Sequence, residues 1–325
     1  MRLSAEQHET LLSRGFVTRI VDHDVYDLDD APLTRDRNFL SAWMTASEVH
    51  SALTGFASTY PSIASLSSIG TTLAGRDIWA LKISDNVGVD ESEPEVLITG
   101  IHHAREVITP ITNIALADSL LTNYGSDPQY TSWVDDLEIW IVPIINRDGY
   151  DYVENTDIWW RKTRRNNGGG DYGVDPNRNY NYEWGHDDNG SSPDPDSETY
   201  RGPAPGSELC ILAMNSFVNS RDFVFALNFH SHGELLLWGP SWKPGFGEQQ
   251  DVFTGYGDLA TASNGYYAGN TGMGAIYTVN GGSDDWMHLA AGHSPIYAMT
   301  PEIGTAFHPS AGEIPGQVVE GLELV

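Results

Sequence analysis

Three apolar, strand-like runs of this chain each lead into side chains that bind metal ions in other proteins. They are residues 95–101 before His103 and Glu106, residues 223–229 before His230, and residues 296–299 before Glu302. Ligands of open α/β sheets collect outside the carboxyl ends of the strands. Three separate strands that deliver His/Glu, His and Glu to that edge therefore predict one shared site.

Strand patterns alternate with helical patterns along the chain, which favours an α/β fold. Further strand-like runs cover residues 78–83 and 137–145, and helical patterns cover residues 110–124 and 209–218. Thr45 and Glu48 have the spacing of a capping box and predict a helix that ends before Pro61. We place the start of the main domain, residues 43–325, here, and interpret residues 1–42 as an N-terminal extension.

Charge excludes several classes of partner. The 325 residues carry 17 Lys+Arg against 45 Asp+Glu, a formal net charge of -28, which repels nucleic acid and anionic lipid.

No apolar run approaches the roughly 18 residues of a membrane span, and residues 1–12 lack the apolar centre of a signal peptide. The single cysteine, Cys210, excludes an internal disulfide framework and a cysteine-rich zinc module.

His103, Glu106 and His230 form a candidate zinc site. Two histidines and one glutamate leave a fourth position of zinc open, and Glu302 beside it is a candidate general base. His102 and His232, each next to a chosen residue, remain alternative ligands, although His102 stands four residues from Glu106, a poor spacing on a non-helical turn.

Cations are concentrated at two places in the sequence. Arg161, Lys162, Arg164 and Arg165 form one cluster, and Arg178 follows Asn177 in a second motif. Adjacent Asn and Arg side chains suit a bidentate grip on a carboxylate. Beside a hydrolytic zinc, such groups would bind an anionic substrate group and the oxyanion of a tetrahedral intermediate.

Motifs in the right order across residues 43–325 resemble the zinc carboxypeptidases of the carboxypeptidase A type. The matching segments are His103–Glu106, Pro143–Tyr150, Trp160–Arg164, Gly173–Asn179, Ser197–Gly202, His230–Ser231, Ile276–Tyr277, Gly281–Trp286 and Pro301–Glu302. The resemblance implies a mixed central sheet of about eight strands flanked by helices.

The resemblance also implies a role for each matching residue. One Zn2+ would be bound by His103, Glu106 and His230, and Glu302 would be the base that activates the metal-bound water. Arg161 would polarise the scissile carbonyl. The implied substrate-binding residues are Arg105, Asn177, Arg178, Ser231, Tyr277 and Asp284.

Asp284 stands at the family position that lines the floor of the side-chain pocket. An acidic residue there resembles the enzymes that accept basic residues, so we expect C-terminal Arg or Lys, or a mixed basic and hydrophobic preference. The sequence departs from the pattern of the animal enzymes at His232, where they have Tyr; this changes the groove wall but removes no catalytic group.

The expected activity is removal of C-terminal residues from peptides and proteins by a monomeric, secreted enzyme. Residues 1–42 resemble the end of an inhibitory prosegment, with Arg35 or Arg37 as candidate cleavage sites. The alternatives are a zinc amidohydrolase acting on cell-wall peptides or acyl amino acids, and an inactive module that binds peptide tails.

An acidic loop between residues 187 and 196 is a weaker candidate, for a calcium site. Its aspartates, Asp187, Asp188, Asp194 and Asp196, lack the spacing of an EF-hand. We interpret them as solvated surface carboxylates.

Overall fold

The structure, a computed structural model, describes residues 43–245 and 247–325. The predicted N-terminal extension and its cleavage sites at Arg35 and Arg37 lie outside the described residues. All of the described residues belong to the predicted main domain.

Eight strands form the central sheet, and two short ones form a separate hairpin. The sheet consists of β1 (Ala64–Thr71), β2 (Asp77–Ile83), β3 (Glu95–Thr99), β4 (Glu138–Val142), β7 (Phe223–Asn228), β8 (Leu235–Trp238), β9 (Tyr267–Asn270) and β10 (Tyr297–Glu302); the hairpin pairs β5 (Asn166–Gly168) with β6 (Asp171–Tyr172).

Eight α-helices accompany these strands in the described part of the chain. They are α1 (Ala46–Thr59), α2 (Thr109–Asn123), α3 (Pro128–Asp136), α4 (Arg147–Asn155), α5 (Leu209–Asn219), α6 (Gln250–Ala260), α7 (Ser283–Leu289) and α8 (Ile314–Leu322). The predicted capping box begins α1: the Thr45 hydroxyl accepts from the Glu48 N–H, and the Glu48 carboxylate accepts from the Thr45 N–H.

The strand order in the sheet is β1-β2-β4-β3-β7-β10-β8-β9. The central strands β4, β3, β7 and β10 run parallel, while β1, β2 and β8 introduce antiparallel pairs. The predicted mixed sheet of about eight strands flanked by helices is thus confirmed. Because β3, β7 and β10 are parallel neighbours, their carboxyl ends meet at one edge.

Each face of the sheet is covered by its own apolar core. On one face, α1, α2 and α8 pack through residues such as Leu53, Ile111 and Val318. On the other face, α5 and α7 pack through residues such as Met214 and Met287. Strands buried on both faces read as continuous apolar runs, which is why β3, β4 and β7 could be recognised in the sequence.

Candidate active site

The three predicted metal ligands converge at the carboxyl edge of the sheet. His103 and Glu106 lie in the turn that follows β3, and His230 follows β7, whose Asn228 is in register with Thr99 of β3. His103 Nδ1 lies 2.7 Å from Glu106 Oε1, His230 Nδ1 lies 2.9 Å from Glu106 Oε2, and the two Nδ1 atoms are 3.1 Å apart.

These atoms fit a zinc ion. All three side chains are buried, and their ligand atoms lie within 4.8 Å of one another. A tetrahedral zinc with bonds of about 2.0–2.2 Å holds neighbouring ligand atoms roughly 3.3 Å apart, close to the separations seen here. Burial opposes ionisation of Glu106, but His103 and His230 outweigh that effect and lower the pKa of its carboxyl.

His102 is placed differently from His103. Its ring is fully buried, its Nε2 lies 2.8 Å from the Tyr180 hydroxyl, and it stacks on the His230 ring with centroids 5.2 Å apart. His102 therefore packs behind the ligand cluster. His232, the other alternative, lies with its ring against Phe307 at 4.6 Å.

Asp175 connects the metal cluster to the active-site cations. Its Oδ1 lies 3.2 Å from His103 Nε2, and its Oδ2 accepts from Arg161 Nε at 3.1 Å and Nη2 at 2.8 Å. Arg178 Nη1 is 3.9 Å from the same Oδ2. Asp175 is fully buried; burial opposes its ionisation, but Arg161 and Arg178 outweigh this and hold the pKa of its carboxyl well below the ordinary value.

Glu302 ends β10 and pairs with His230 across a parallel bridge. It lines the same cavity as His103 and Arg178. Surrounding protein atoms desolvate its carboxyl and raise the pKa to about 8, an effect that His230 partly offsets. The structure therefore brings the predicted general base to the metal cluster.

The predicted carboxylate clamp lies on the 3-10 turn Pro176–Arg178. The Arg178 side chain is buried and donates through Nε to the Gly190 carbonyl and through Nη1 to the Asn177 carbonyl. The Asn177 side-chain oxygen accepts from the Ser283 N–H at 2.8 Å, so its position is fixed by the start of α7.

Tyr277 lies across the cavity from this clamp. Its side chain is 57% exposed, and its ring centroid is 5.8 Å from Arg178 Cζ. The loop then returns at Gly281, which has a φ of 67°, and a Cβ there would stand 2.6 Å from the Arg178 carbonyl oxygen. This close approach requires glycine.

Asp284 lines the predicted side-chain pocket. The pocket wall also includes Leu237, Ile276, Val279 and Thr300. One Asp284 oxygen accepts from Asn228 Nδ2 and the other from the Thr300 hydroxyl, each at 2.8 Å. Burial raises the pKa of this carboxyl, and those hydrogen bonds counteract part of the effect.

Arg105 and Ser231 occupy other parts of the site. Arg105 Nη1 lies 3.2 Å from a Glu198 carboxylate oxygen, and its guanidinium is over the Phe307 ring at 4.5 Å. Ser231 is buried, and its hydroxyl has no hydrogen-bond partner among the described residues.

Sequence reasoning assigned no role to Asp175. The residue belonged to a matching motif, but nothing in its spacing indicates a fully buried carboxylate between two arginines and a histidine. One feature of the sequence could have suggested a role for this residue. Asp175 lies between Arg161 and the Asn177–Arg178 pair, and a carboxylate there could pair with both arginines.

The acidic loop at residues 187–196 behaves as a surface loop. Asp187 Oδ1 accepts from the N–H groups of Asn189 and Gly190, and Asp188 forms an ion pair with Arg201. Within residues 43–245 and 247–325, the groups of three possible metal ligands lie elsewhere.

The comparisons of this sequence with known protein sequences all lead to carboxypeptidases. The sequence model of the zinc carboxypeptidase family matches residues 49–323. Carboxypeptidase A2 of Rattus norvegicus is 32% identical over 263 residues, covering 78% of this chain but only 61% of that relative. Carboxypeptidase B of Astacus astacus is 34% identical over 265 residues, covering 79% of this chain and 84% of the relative.

Solved structures show the same fold. The crystal structure of thrombin activatable fibrinolysis inhibitor superposes with a TM-score of 0.80 at 23% identity, covering 88% of this chain and 73% of that one. Carboxypeptidase A from Helicoverpa armigera superposes with a TM-score of 0.78 at 23% identity, covering 88% of this chain and 72% of that one.

In the described part of the chain, none of the helices has the length and apolar character needed to cross a bilayer.

Proposed function

This chain belongs to the zinc carboxypeptidase family, and on that premise we propose that it is a zinc metallocarboxypeptidase that hydrolyses the C-terminal peptide bond of peptides and proteins. One observation carries the proposal: His103 and Glu302 line the same cavity as Asn177 and Arg178. A hydrolytic centre beside a carboxylate clamp selects substrates that end in a free α-carboxylate.

The clamp sets the register of the substrate. Arg178 is held by the Gly190 and Asn177 carbonyls and Asn177 by the Ser283 N–H, so both side chains are ordered before a peptide arrives. Their donors would bind the terminal carboxylate, and the exposed Tyr277 would close over it. This positioning presents the last peptide bond to the metal ligands.

Zinc bound by His103, Glu106 and His230 would polarise the scissile carbonyl and lower the pKa of a water molecule. Glu302 would accept a proton from the attacking water and return it to the leaving amine, since it lines the cavity together with His103 and pairs with His230 across the parallel bridge. Arg161 would donate to the oxyanion, and the donation of its Nε and Nη2 to the single oxygen Asp175 Oδ2 orients it for that task.

The finer proposal concerns the C-terminal side chain. Leu237, Ile276 and Val279 give the pocket an apolar wall, and Asp284 gives it a carboxylate. An aliphatic stem with a cationic end is complementary to that arrangement, so we propose a preference for C-terminal Arg or Lys, with apolar residues also accepted. Both Asp284 oxygens already accept hydrogen bonds, which limits the preference and favours mixed selectivity.

The test compares two N-blocked dipeptides, one ending in Arg and one in Phe, with and without a zinc chelator. We expect chelator-sensitive release of both residues, with Arg faster, and we expect Asp284→Asn to lower the Arg/Phe ratio of kcat/KM. Asp188→Asn, which removes a surface carboxylate, serves as the matched control and leaves the ratio unchanged.

Each outcome bears on a different part of the proposal. An unchanged ratio in Asp284→Asn would refute the pocket assignment while leaving the reaction intact. No release of either residue, even after limited proteolysis of residues 1–42, would refute the carboxypeptidase proposal and favour the amidohydrolase or the binding module.

We further propose that the enzyme is secreted, monomeric and matured by cleavage near Arg35 or Arg37.

A further inference from the structure

Arg164 differs from every other arginine that the structure describes. Residues 43–245 and 247–325 contain nine arginines, and eight of them lie within 3.9 Å of a carboxylate oxygen. Neither an ion pair nor a hydrogen bond joins the Arg164 guanidinium to another residue in these ranges. In a chain with a formal net charge of -28, a cation without an anionic partner is a candidate binding site for an anion.

The Arg164 guanidinium is held by aromatic rings instead. Its Cζ lies 3.6 Å from the ring centroid of Tyr152, 4.4 Å from that of Trp160 and 4.9 Å from that of Tyr172. We name these three rings the aromatic cage. Cation–π contacts of this kind stabilise the guanidinium without using its N–H donors. The side chain is therefore positioned while its donors stay available to a ligand.

Arg164 and Tyr152 line a surface pocket of about 410 Å³, together with residues such as Leu73, Arg76 and Asn155. Leu73 is 58% exposed and gives the pocket an apolar rim. Among the described residues, this pocket and the active-site cavity have no lining residue in common. A ligand bound beside Arg164 would therefore not occupy the proposed active site.

The carboxylates of the pocket do not supply the missing partner. Asp148 and Asp151 line it, but both oxygens of Asp148 already accept hydrogen bonds and Arg76 pairs with both residues. Arg147 also pairs with Asp151, at 2.8 Å. Two carboxylates are thus balanced by two arginines, and the charge of Arg164 is left over. The pocket suits a carboxylate that comes from elsewhere.

The sequence before Trp43 contains a segment of the required chemistry. Residues 22–30, which we name the acidic segment, contain five aspartates among nine residues and neither Lys nor Arg. Val25, Tyr26 and Leu28 alternate with these aspartates. The acidic segment therefore combines carboxylates for the guanidinium with apolar side chains for the rim of the pocket.

The acidic segment is close enough along the chain to reach this pocket. The Tyr150 hydroxyl donates to the Met44 carbonyl at 2.6 Å, which fixes the first described residues to helix α4. The same helix supplies Tyr152 and Asn155 to the pocket, and its nine residues are only about 14 Å long. Residues 31–42, which join the acidic segment to the domain, can span roughly 40 Å when extended.

We propose that the acidic segment binds in this pocket, with its aspartate carboxylates on the free donors of Arg164. A guanidinium and a carboxylate can form two parallel hydrogen bonds, which gives such a contact its specificity. The contact would anchor the extension outside the active-site cavity. Arg35 and Arg37 lie between the two fixed points, so anchoring would slow their cleavage. The proposal does not rest on the proposed hydrolysis.

The test measures how fast trypsin cleaves the zinc-loaded full chain at Arg35 and Arg37, followed by mass spectrometry. Cleavage of a segment that opens and closes rapidly tracks the fraction that is open. We expect Arg164→Gln to raise this rate about fivefold, because the anchoring contact is lost. Arg164→Lys should raise it less, since lysine keeps the charge but lacks the planar fork.

Arg201→Gln is the matched control. Arg201 also lies over an aromatic ring, that of Trp184 at 5.6 Å, but it is paired with Asp188 at 2.7 Å. Its replacement should leave the rate at Arg35 and Arg37 unchanged. The thermal unfolding of each variant shows whether the domain has kept its stability.

A second variant changes the other partner and leaves the described domain unaltered. Replacing the five aspartates of the acidic segment by Asn should raise the rate by the same factor as Arg164→Gln. The two changes combined should give no further increase, because they remove one contact. A direct effect of the aspartates on trypsin would instead persist in the Arg164→Gln background. Sodium chloride should speed cleavage of the unmodified chain but not of the combined variant.

Three results would overturn the proposal. One is a cleavage rate in Arg164→Gln equal to that of Arg201→Gln. Another is an unchanged rate when the five aspartates are replaced, which decides the question even where Arg164→Gln lowers the Tm. The third is a combined variant in which the two increases multiply, since the acidic segment would then act at another place.

Discussion

Replacement of Asp175 by Asn tests whether one buried carboxylate organises the active site. The substitution preserves the shape of the side chain but removes its charge. In the native structure this carboxylate contacts Arg161 at 2.8 Å, accepts from the Asn177 N–H at 3.0 Å and lies 3.2 Å from His103 Nε2. An amide offers one oxygen, so its NH2 group must face either the guanidinium or the other two donors.

The expected loss of stability follows from burial. The side chain of Asp175 is 0% exposed, and those of Arg161 and Arg178 are 7% and 2% exposed. Removing one partner of a buried pair leaves a charge without compensation and costs about 3–5 kcal/mol. Asp188→Asn is the matched control: it breaks a 2.7 Å ion pair with Arg201, but Asp188 is 70% exposed. An exposed pair contributes less than about 1 kcal/mol.

The assay is equilibrium urea unfolding followed by tryptophan fluorescence, at a fixed zinc concentration. Asp175→Asn should also weaken zinc binding about 10- to 100-fold, because a carboxylate that accepts from the second nitrogen of a ligand histidine raises the basicity of that ligand. A free energy of unfolding within 1 kcal/mol of the Asp188→Asn value, together with unchanged zinc affinity, would refute the assignment of Asp175 as the organising group.

Three further predictions concern pH, helix capping and thiol reactivity. Burial raises the pKa of Asp285 from 3.8 to about 7, so the folded state holds a proton that the unfolded state releases; the free energy of unfolding should fall as pH rises through this interval. Asp285→Asn should flatten that slope, and an unchanged slope in urea unfolding would contradict the reasoning. Thr45→Ala should cost about 1 kcal/mol in urea unfolding by removing the cap of α1, whereas Thr45→Ser should cost less; equal losses would exclude a capping role. Burial raises the pKa of the Cys210 thiol, so a disulfide reagent such as DTNB should label it only after unfolding, and rapid labelling of the native protein would show that it is accessible.

The sequence predicted those parts of the fold whose pattern is local. Strands β3, β4 and β7 are continuous apolar runs, and the chemistry at His103 and His230 follows directly where two of them end. Strands β1 and β9 escaped prediction because ASLSSIGT and YAGN carry few apolar residues. They are strands because β2 and β8 pair with them, and such pairing depends on the whole sheet.

The loops of the site were beyond local prediction for a related reason. Residues 146–206 are rich in Asn, Gly, Asp and Pro, a composition that normally indicates solvent exposure. In the structure this segment buries Arg161, Asp175 and Arg178 together. These charged side chains can be buried because their opposite charges compensate one another. The pattern of hydrophobic residues in the sequence does not predict charge pairing of this kind.

This compensation also bears on how a protein with a formal charge of -28 would hold the anionic substrate proposed above. Charges on the surface interact through water. Two unit charges 4 Å apart in water have an interaction energy of about 1 kcal/mol, and salt reduces this energy further. Arg161 and Arg178 act from a buried position, where water screens less, and Asp175 neutralises only one of the two guanidinium charges. Among these three side chains, one guanidinium charge therefore remains available for the terminal carboxylate of the proposed substrate.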